Sequence, residues 1–92
     1  MQLTELAHGK MKQLHEILDA VVDEKTFVEF LLALAEDRRN NPSEWQWDKI
    51  EDFLDASVRW AKDTKHGVNA YVVPDNLWKR SAEIIFCGKI YE

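Results

Sequence analysis

The side chains best suited to hold a metal ion or attack a substrate are three histidines and one cysteine. His8 and His15 fall on the same side of a predicted helix but about 10 Å apart along its axis, which is too far to share one zinc ion. His66 stands alone in a predicted loop, and Cys87 has apolar neighbours that are typical of an inert buried thiol. We therefore expect no metal, no cofactor and no cysteine nucleophile.

Paired carboxylates are the other route to chemistry, and Asp52 with Asp55 or Glu36 with Asp37 are examples of such pairs. General acid catalysis requires a carboxyl group that is shielded from water. These pairs fall on polar helix faces, where water keeps both members ionised. The chain also contains no glycine-rich phosphate loop and no nucleophile motif. We expect a protein that is not an enzyme.

Composition narrows the class of protein further. The 92 residues are 46% hydrophobic and contain few glycines or prolines, which is typical of one globular domain spanning residues 1–92. No stretch approaches the roughly 20 apolar residues that cross a bilayer, so we expect no membrane association. A single cysteine and an N-terminus interrupted by Glu5 and Lys10 favour a cytoplasmic location.

The acidic residues are unevenly distributed. The net charge is −5, and residues 16–37 carry seven acidic residues against one lysine. Such a segment repels nucleic acid and attracts a basic protein partner. A solvated helix face that keeps the protein in solution accounts for the same pattern.

Apolar periodicity predicts two helices in the first half of the chain. Between Leu3 and Val22 the apolar residues recur at three- and four-residue spacing, although Gly9 weakens the first half of this helix. A second helix follows, with Asp23 as its N-cap and a clear apolar stripe. It ends at the Asn-Asn-Pro break of residues 40–42.

The third predicted helix lies in the tryptophan-rich stretch NNPSEWQWDKIEDFLDASVRW. Asp48 is its expected N-cap, and Trp47 would pack back onto the helix from just before that cap. Its apolar residues occupy one arc of about 160°, which we interpret as the side that faces the core. The members of this arc are Trp47, Ile50, Phe53, Leu54, Ser57, Val58, Trp60 and Ala61.

The C-terminal third combines a long connection with an apolar segment. The connection of residues 63–76 is longer than most loops in compact domains, and such loops are often functional. Asp75 or Asn76 can then cap a last helix. Because EIIFCGKIYE is apolar on nearly all sides, this helix would be central or would expose an apolar patch. Short paired strands near 71–74 and 84–87 are the alternative.

Together these elements predict an all-α fold, a small single-domain bundle of about four helices. The expected core consists of Phe27, Phe30, Leu31, Leu34, Phe53, Leu54, Trp60, Trp78 and Ile85.

Trp45 is the tryptophan that the helical pattern leaves unexplained. It lies in the loop before the third helix, where it could cover one end of the core or contact a partner. An interaction surface would combine this aromatic residue with the acidic second helix and with the long loop. Its candidate residues are Glu29, Glu36, Asp37, Trp45, Trp47 and Tyr71.

The order of the large residues resembles a family of small uncharacterised bacterial proteins that is classed as a domain of unknown function. The resemblance rests on NPSEW, on FLDASVRW and on the terminal Tyr91-Glu92 pair, and it covers about residues 17–92, leaving 1–16 outside. It implies no activity. From the residue types we also expect Tyr91 to pack against the Trp45 loop, with Glu92 meeting Arg38 or Arg39.

Three hypotheses for the function follow. The first is a non-catalytic protein-interaction module, for example of the toxin-neutralising or immunity type, which uses its acidic face to bind a basic protein. The second is a homo-oligomeric structural protein that self-associates through Ile84, Phe86 and Ile90. The third is an enzyme of unknown chemistry, which would need a buried carboxyl or histidine that the sequence does not reveal.

Overall fold

A computed structural model describes residues 13–92 and shows an all-α fold, as predicted from the sequence. A short 3-10 helix follows the second α-helix within the described residues. The helices are α1 (Leu14–Asp19), α2 (Glu24–Asn40), the 3-10 helix (Pro42–Glu44), α3 (Ile50–Asp63) and α4 (Leu77–Gly88).

Helix α1 is shorter than the helix predicted between Leu3 and Val22. Residues 1–12, including His8 and Gly9, lie outside the described residues. In the described part of the chain the helix ends at Asp19, and Val21, two residues further on, is fully buried. The apolar pattern therefore continues into the connection to α2, although the helix does not.

Helix α2 begins and ends as predicted. The Asp23 side chain accepts a hydrogen bond from the Thr26 backbone amide at 2.9 Å, and the Thr26 hydroxyl lies 3.1 Å from the Asp23 amide. This reciprocal arrangement satisfies two amides that the helix leaves free. Arg38 and Arg39 occupy the last turn, where the helix dipole favours positive charge, and Pro42 prevents continuation.

The predicted N-cap of α3 was wrong. Lys49, not Asp48, precedes the helix, and its side chain makes no capping hydrogen bond. Asp48 lies one residue too early to reach the free amides of the first turn. Glu51 and Asp52 lie in that turn instead, where their charges interact favourably with the positive end of the helix dipole.

The alternative of paired strands was wrong, since residues 84–87 lie inside helix α4. In the described part of the chain the loop before α4 contains only an isolated bridge between Val68 and Tyr71. Asn76 caps α4, accepting from the Lys79 amide at 3.0 Å and donating to the Val22 carbonyl at 3.0 Å.

Helix α4 is the central element of the fold. It packs against α1, α2 and α3, which explains why its sequence is apolar on nearly all sides. No Cα atom of α2 lies within 8 Å of a Cα atom of α3, so these two helices lie farther from each other than either lies from α4. The core is formed by Leu18, Val21, Phe30, Leu34, Phe53 and Ala82.

The contact between α3 and α4 depends on small residues. Ala56, Ser57, Ala82 and Gly88 are all buried. A Cβ atom added at Gly88 would lie 1.9 Å from the Ser57 hydroxyl oxygen and 3.0 Å from the Phe53 carbonyl oxygen. Glycine at this position therefore sets how closely the two helices approach.

Three of the predicted core residues are exposed instead. Leu31, Leu54 and Trp78 have 37%, 52% and 39% of their surface accessible. For Leu31 and Leu54 the reason is that none of the helices within residues 13–92 bridges α2 and α3 on the side away from α4. Phe30, Leu34 and Phe53 are buried as predicted, while Phe27, Trp60 and Ile85 are half-buried.

No helix between residues 13 and 92 combines the length and apolar composition needed to cross a membrane.

Candidate functional site

A groove lies between α2 and α3, and we call it the α2–α3 groove. Ile85 of α4 lies at its base, and Trp45 and Trp47 close one end. The groove has a volume of about 350 Å³, which is at the small end of ligand-binding cavities. Its apolar lining residues include Leu31, Leu34, Ala35, Trp45, Trp47, Ile50 and Phe53.

Exposed apolar residues extend beyond the groove along both helices. Ile50 is 66% exposed, and Leu54 and Val58 follow it at four-residue intervals on the same side of α3. Val28 and Leu32 of α2 are also exposed. Large contiguous apolar patches on a monomer often mark a site that binds another molecule.

Trp45 forms one end of the groove and is held in place by polar contacts on its other side. Its indole N–H donates to Asp37 at 2.9 Å, and its ring lies 5.4 Å from the ring of Phe53. The Arg38 guanidinium lies 5.5 Å from the ring centroid. Because the only polar atom of the indole is already bonded, Trp45 presents apolar surface to the groove.

Asp37 is the acidic member of a largely buried ion pair. The Lys89 ammonium lies 2.8 Å from its carboxylate, and the two side chains are only 12% and 13% exposed. Asn41 donates to the second carboxylate oxygen at 3.2 Å. Burial by itself raises the pKa of Asp37, but the hydrogen bonds from Lys89, Trp45 and Asn41 hold that pKa below its usual value. Asp37 therefore anchors the Trp45 loop to the end of α4.

Trp47 is held by the C-terminal residues. Its indole N–H donates to the Tyr91 carbonyl at 3.1 Å, and the Tyr91 hydroxyl donates to Asp63. Arg59 lies over the Trp47 ring at 5.8 Å and reaches the main-chain oxygen of Glu92 at 3.5 Å. Tyr91 thus meets the tryptophan loop as expected.

The expected contact of Glu92 with Arg38 or Arg39 was wrong. Arg59 takes that place, because α3 lies beside the chain terminus. Arg38 instead donates to the Pro42 carbonyl at 3.3 Å, and Arg39 pairs with Glu36.

The two other predicted acidic residues lie on the exposed side of α2. Glu29 pairs with Lys25 at 2.9 Å, and Glu36 pairs with Arg39 at 3.1 Å. These pairs are solvent-exposed and contribute little stability, but they balance the charge of this face. By contrast, Glu51 and Asp55 of α3 are exposed and have no ion-pair partner within residues 13–92.

Tyr71 belongs to a separate cluster around Arg80. The Tyr71 hydroxyl donates to Glu83 at 2.6 Å and accepts from Arg80 at 3.0 Å. Arg80 also donates to the Ala61 carbonyl at 2.9 Å and lies 5.0 Å from the Trp60 ring centroid. Burial and the bond to Glu83 raise the pKa of Tyr71. This cluster fixes the loop 64–76 to α3 and α4, and Tyr71 does not line the groove.

Among residues 13–92 the potential metal ligands and nucleophiles do not converge. His15 and His66 are exposed, whereas Cys87 is half-buried. Burial raises the pKa of the Cys87 thiol to about 11, so at neutral pH it is a protonated, poor nucleophile. In the part of the chain that the structure describes, no three His, Cys, Asp or Glu side chains are grouped to hold a metal ion.

The structure thus brings Asp37, Trp45 and Trp47 to one end of the groove and leaves Glu29, Glu36 and Tyr71 elsewhere. Sequence reasoning missed Leu31 and Ile50 as groove-lining residues, because it assigned every apolar residue of each stripe to the core. The 160° arc of α3 was the available signal, since a single neighbouring helix cannot cover so wide an arc.

The model of a family described as a family of unknown function, DUF7660, matches residues 23–92. The match includes α2, α3, α4 and the whole groove, and it confirms the resemblance to an uncharacterised domain family. No curated protein and no solved structure matches the chain.

Proposed function

The chain belongs to DUF7660, a family of unknown function, and we propose that it is a non-catalytic protein-interaction module that receives its partner in the α2–α3 groove. One observation carries this proposal. Two helices that share a central neighbour leave an apolar groove between them, and no described element covers it.

The tryptophans favour binding at this end of the groove. Trp45 and Trp47 are fixed by hydrogen bonds to Asp37 and to the Tyr91 carbonyl. A partner that contacts their rings therefore does not have to order them first, which reduces the entropic cost of association. Buried tryptophans are also among the residues that contribute most to protein–protein binding energy.

The charges refine the hypothesis of an acidic interaction face. Glu29, Glu36 and Asp37 each have a cationic neighbour in the structure, so they are weaker attractants for a partner than the sequence indicated. Glu51 and Asp55 lie on α3, the helix that forms the second wall of the groove. A partner of the basic type, including one that an immunity-like protein would neutralise, fits this side of the molecule.

The proposal is tested by capturing binding partners from the native cell lysate. The tagged wild-type protein is compared with the variants Ile50→Asp and Leu77→Asp. Both residues are the first of a helix and are exposed, at 66% and 78%, so aspartate suits the helix dipole equally at both positions. Only Ile50 lines the groove. We expect a partner that is retained by the wild type and by Leu77→Asp but lost by Ile50→Asp. Retention of the same proteins by all three forms would contradict the proposal.

Self-association has less support. Of the three residues predicted to mediate it, Phe86 packs 6.4 Å from the core ring of Phe30 and Ile84 is half-buried, whereas Ile90 is exposed. Light scattering over a range of protein concentrations would reveal a homo-oligomer by its rising mass, and the capture experiment includes this measurement as a control.

A further inference from the structure

We propose that the occupant of the α2–α3 groove is a single amphipathic helix of a partner protein, with lysine or arginine on the flank that faces α3. This inference rests on the proposed function and specifies the shape and charge of the partner segment.

The shape of the groove fits the side chains of a helix. A cavity of about 350 Å³ accepts a few large apolar side chains but not the body of a helix. The backbone of the partner would therefore lie above the groove, against the exposed residues that border it. Leu31 of α2 lines the groove and is 37% exposed, and Leu54 of α3, one turn beyond the lining residue Ile50, is 52% exposed, so both supply such borders. Anchors spaced three, four and seven residues apart on one helix face are the usual match for a groove of this kind.

A strand is a poorer occupant. Strands bind by adding to the open edge of a sheet, and the described residues contain no sheet. The indole N–H groups of Trp45 and Trp47 are already bonded within the protein. These two residues thus offer a partner no free hydrogen-bond donors and select apolar side chains.

The charges around the groove differ between its two walls. On α2, Glu29 and Glu36 are balanced by Lys25 and Arg39. On α3, the exposed Glu51 and Asp55 have no cationic partner among the described side chains. The first two turns of α3 contain Glu51, Asp52 and Asp55 and no cation, whereas Arg59 and Lys62 lie further along the helix. This part of the α3 wall therefore carries a local excess of negative charge, which favours lysine or arginine on the adjacent flank of a bound helix.

A second copy of the chain is a weaker candidate on charge. The chain has a net charge of −5, and another copy of α3 would bring its own Glu51 and Asp55 towards the same acids. Like charges at an interface oppose association.

An NMR titration with two synthetic helical peptides tests this inference. The peptides share one apolar face and differ only in carrying lysine or glutamate along its flank. The four tryptophans give four indole N–H signals, which Trp→Phe variants assign. We expect the lysine peptide to shift the signals of Trp45 and Trp47 and to leave those of Trp60 and Trp78 unchanged.

Variants define the site. We expect Ile50→Asp to weaken binding of the lysine peptide by at least about tenfold, and Leu77→Asp to leave it unchanged. The double variant Glu51→Lys, Asp55→Lys should weaken it by about five- to tenfold at low salt and less at high salt.

Three outcomes would overturn the inference: equal or tighter binding of the glutamate peptide, shifts confined to Trp60 or Trp78, or no binding of either peptide. If the capture experiment still identifies a partner that requires Ile50, the interaction function stands and only the basic-helix assignment fails. If capture fails as well, both proposals fail.

Discussion

Replacing Lys89 with methionine should lower the free energy of unfolding by about 3 kcal/mol. The substitution keeps an unbranched apolar side chain but removes the ammonium that lies 2.8 Å from the Asp37 carboxylate. Asp37 is 13% exposed, so it would remain a largely buried charge with only the neutral donors of Trp45 and Asn41. Trp45 would then be held less firmly at the end of the groove.

Urea denaturation of Lys89→Met at pH 7 measures this loss. The matched control is Lys25→Met, which breaks the exposed pair with Glu29 and should cost less than about 1 kcal/mol. The double variant Asp37→Asn, Lys89→Met removes both charges and should recover part of the stability. Equal stability of Lys89→Met and Lys25→Met would show that the Asp37 pair does not anchor the loop.

The ion pair between Asp37 and Lys89 makes the free energy of unfolding depend on pH in the acid range. The folded state holds the pKa of Asp37 below its unfolded value, which is about 3.9. The stability from this carboxylate is therefore present above about pH 4 and is lost as the pH falls through the folded-state pKa. We expect the penalty of Lys89→Met to be largest at neutral pH and to shrink below pH 4, where Asp37 becomes protonated.

Replacing Gly88 with alanine should lower the free energy of unfolding by about 2 kcal/mol through overpacking. Helix propensity alone predicts the opposite sign, since alanine is favoured over glycine inside a helix by up to about 1 kcal/mol. Overpacking prevails because the new Cβ atom would lie 1.9 Å from the Ser57 hydroxyl oxygen. It would also lie 3.0 Å from the Phe53 carbonyl oxygen, which belongs to the backbone of α3 and cannot move by a rotamer change.

Thermal denaturation measures the effect, which should exceed about 8 °C for a domain of this size. Ser57→Ala in the Gly88→Ala background removes the closest contact but not the carbonyl contact, so it should restore part of the loss. Ser81→Ala, at an exposed position of the same helix, should change stability by less than about 0.5 kcal/mol. A Gly88→Ala protein as stable as the wild type would contradict the close packing of α3 on α4.

Local features of the fold were predictable because their signals lie within a few residues. Asp23 and Asn76 cap their helices through amides three residues away, and the Asn-Asn-Pro break ends α2. The predicted N-cap of α3 was wrong by one residue, since the structure has Lys49 in place of Asp48. Sequence patterns do not locate a helix end to better than one or two residues.

The groove was not predictable, because periodicity shows which side of a helix is apolar but not which element covers it. The stripe of α3 was interpreted as core, yet Ile50, Leu54 and Val58 are exposed because α4 covers only part of it. The role of Trp45 likewise depends on Asp37 and Lys89, which lie far apart in the chain and meet only in the folded structure. The sequence therefore identified Trp45 and Trp47 as candidate contacts without showing that they border one groove.

Photo-crosslinking in the cells that produce this protein would show directly whether a partner binds in the α2–α3 groove. The photoreactive residue p-benzoylphenylalanine replaces Ile50 in the groove or Leu77 outside it, and covalent adducts are identified by mass spectrometry. We expect a discrete adduct with another protein from position 50 that is absent from position 77. No adduct from position 50, or the same adducts from both positions, would contradict the claim that the α2–α3 groove is where a partner binds.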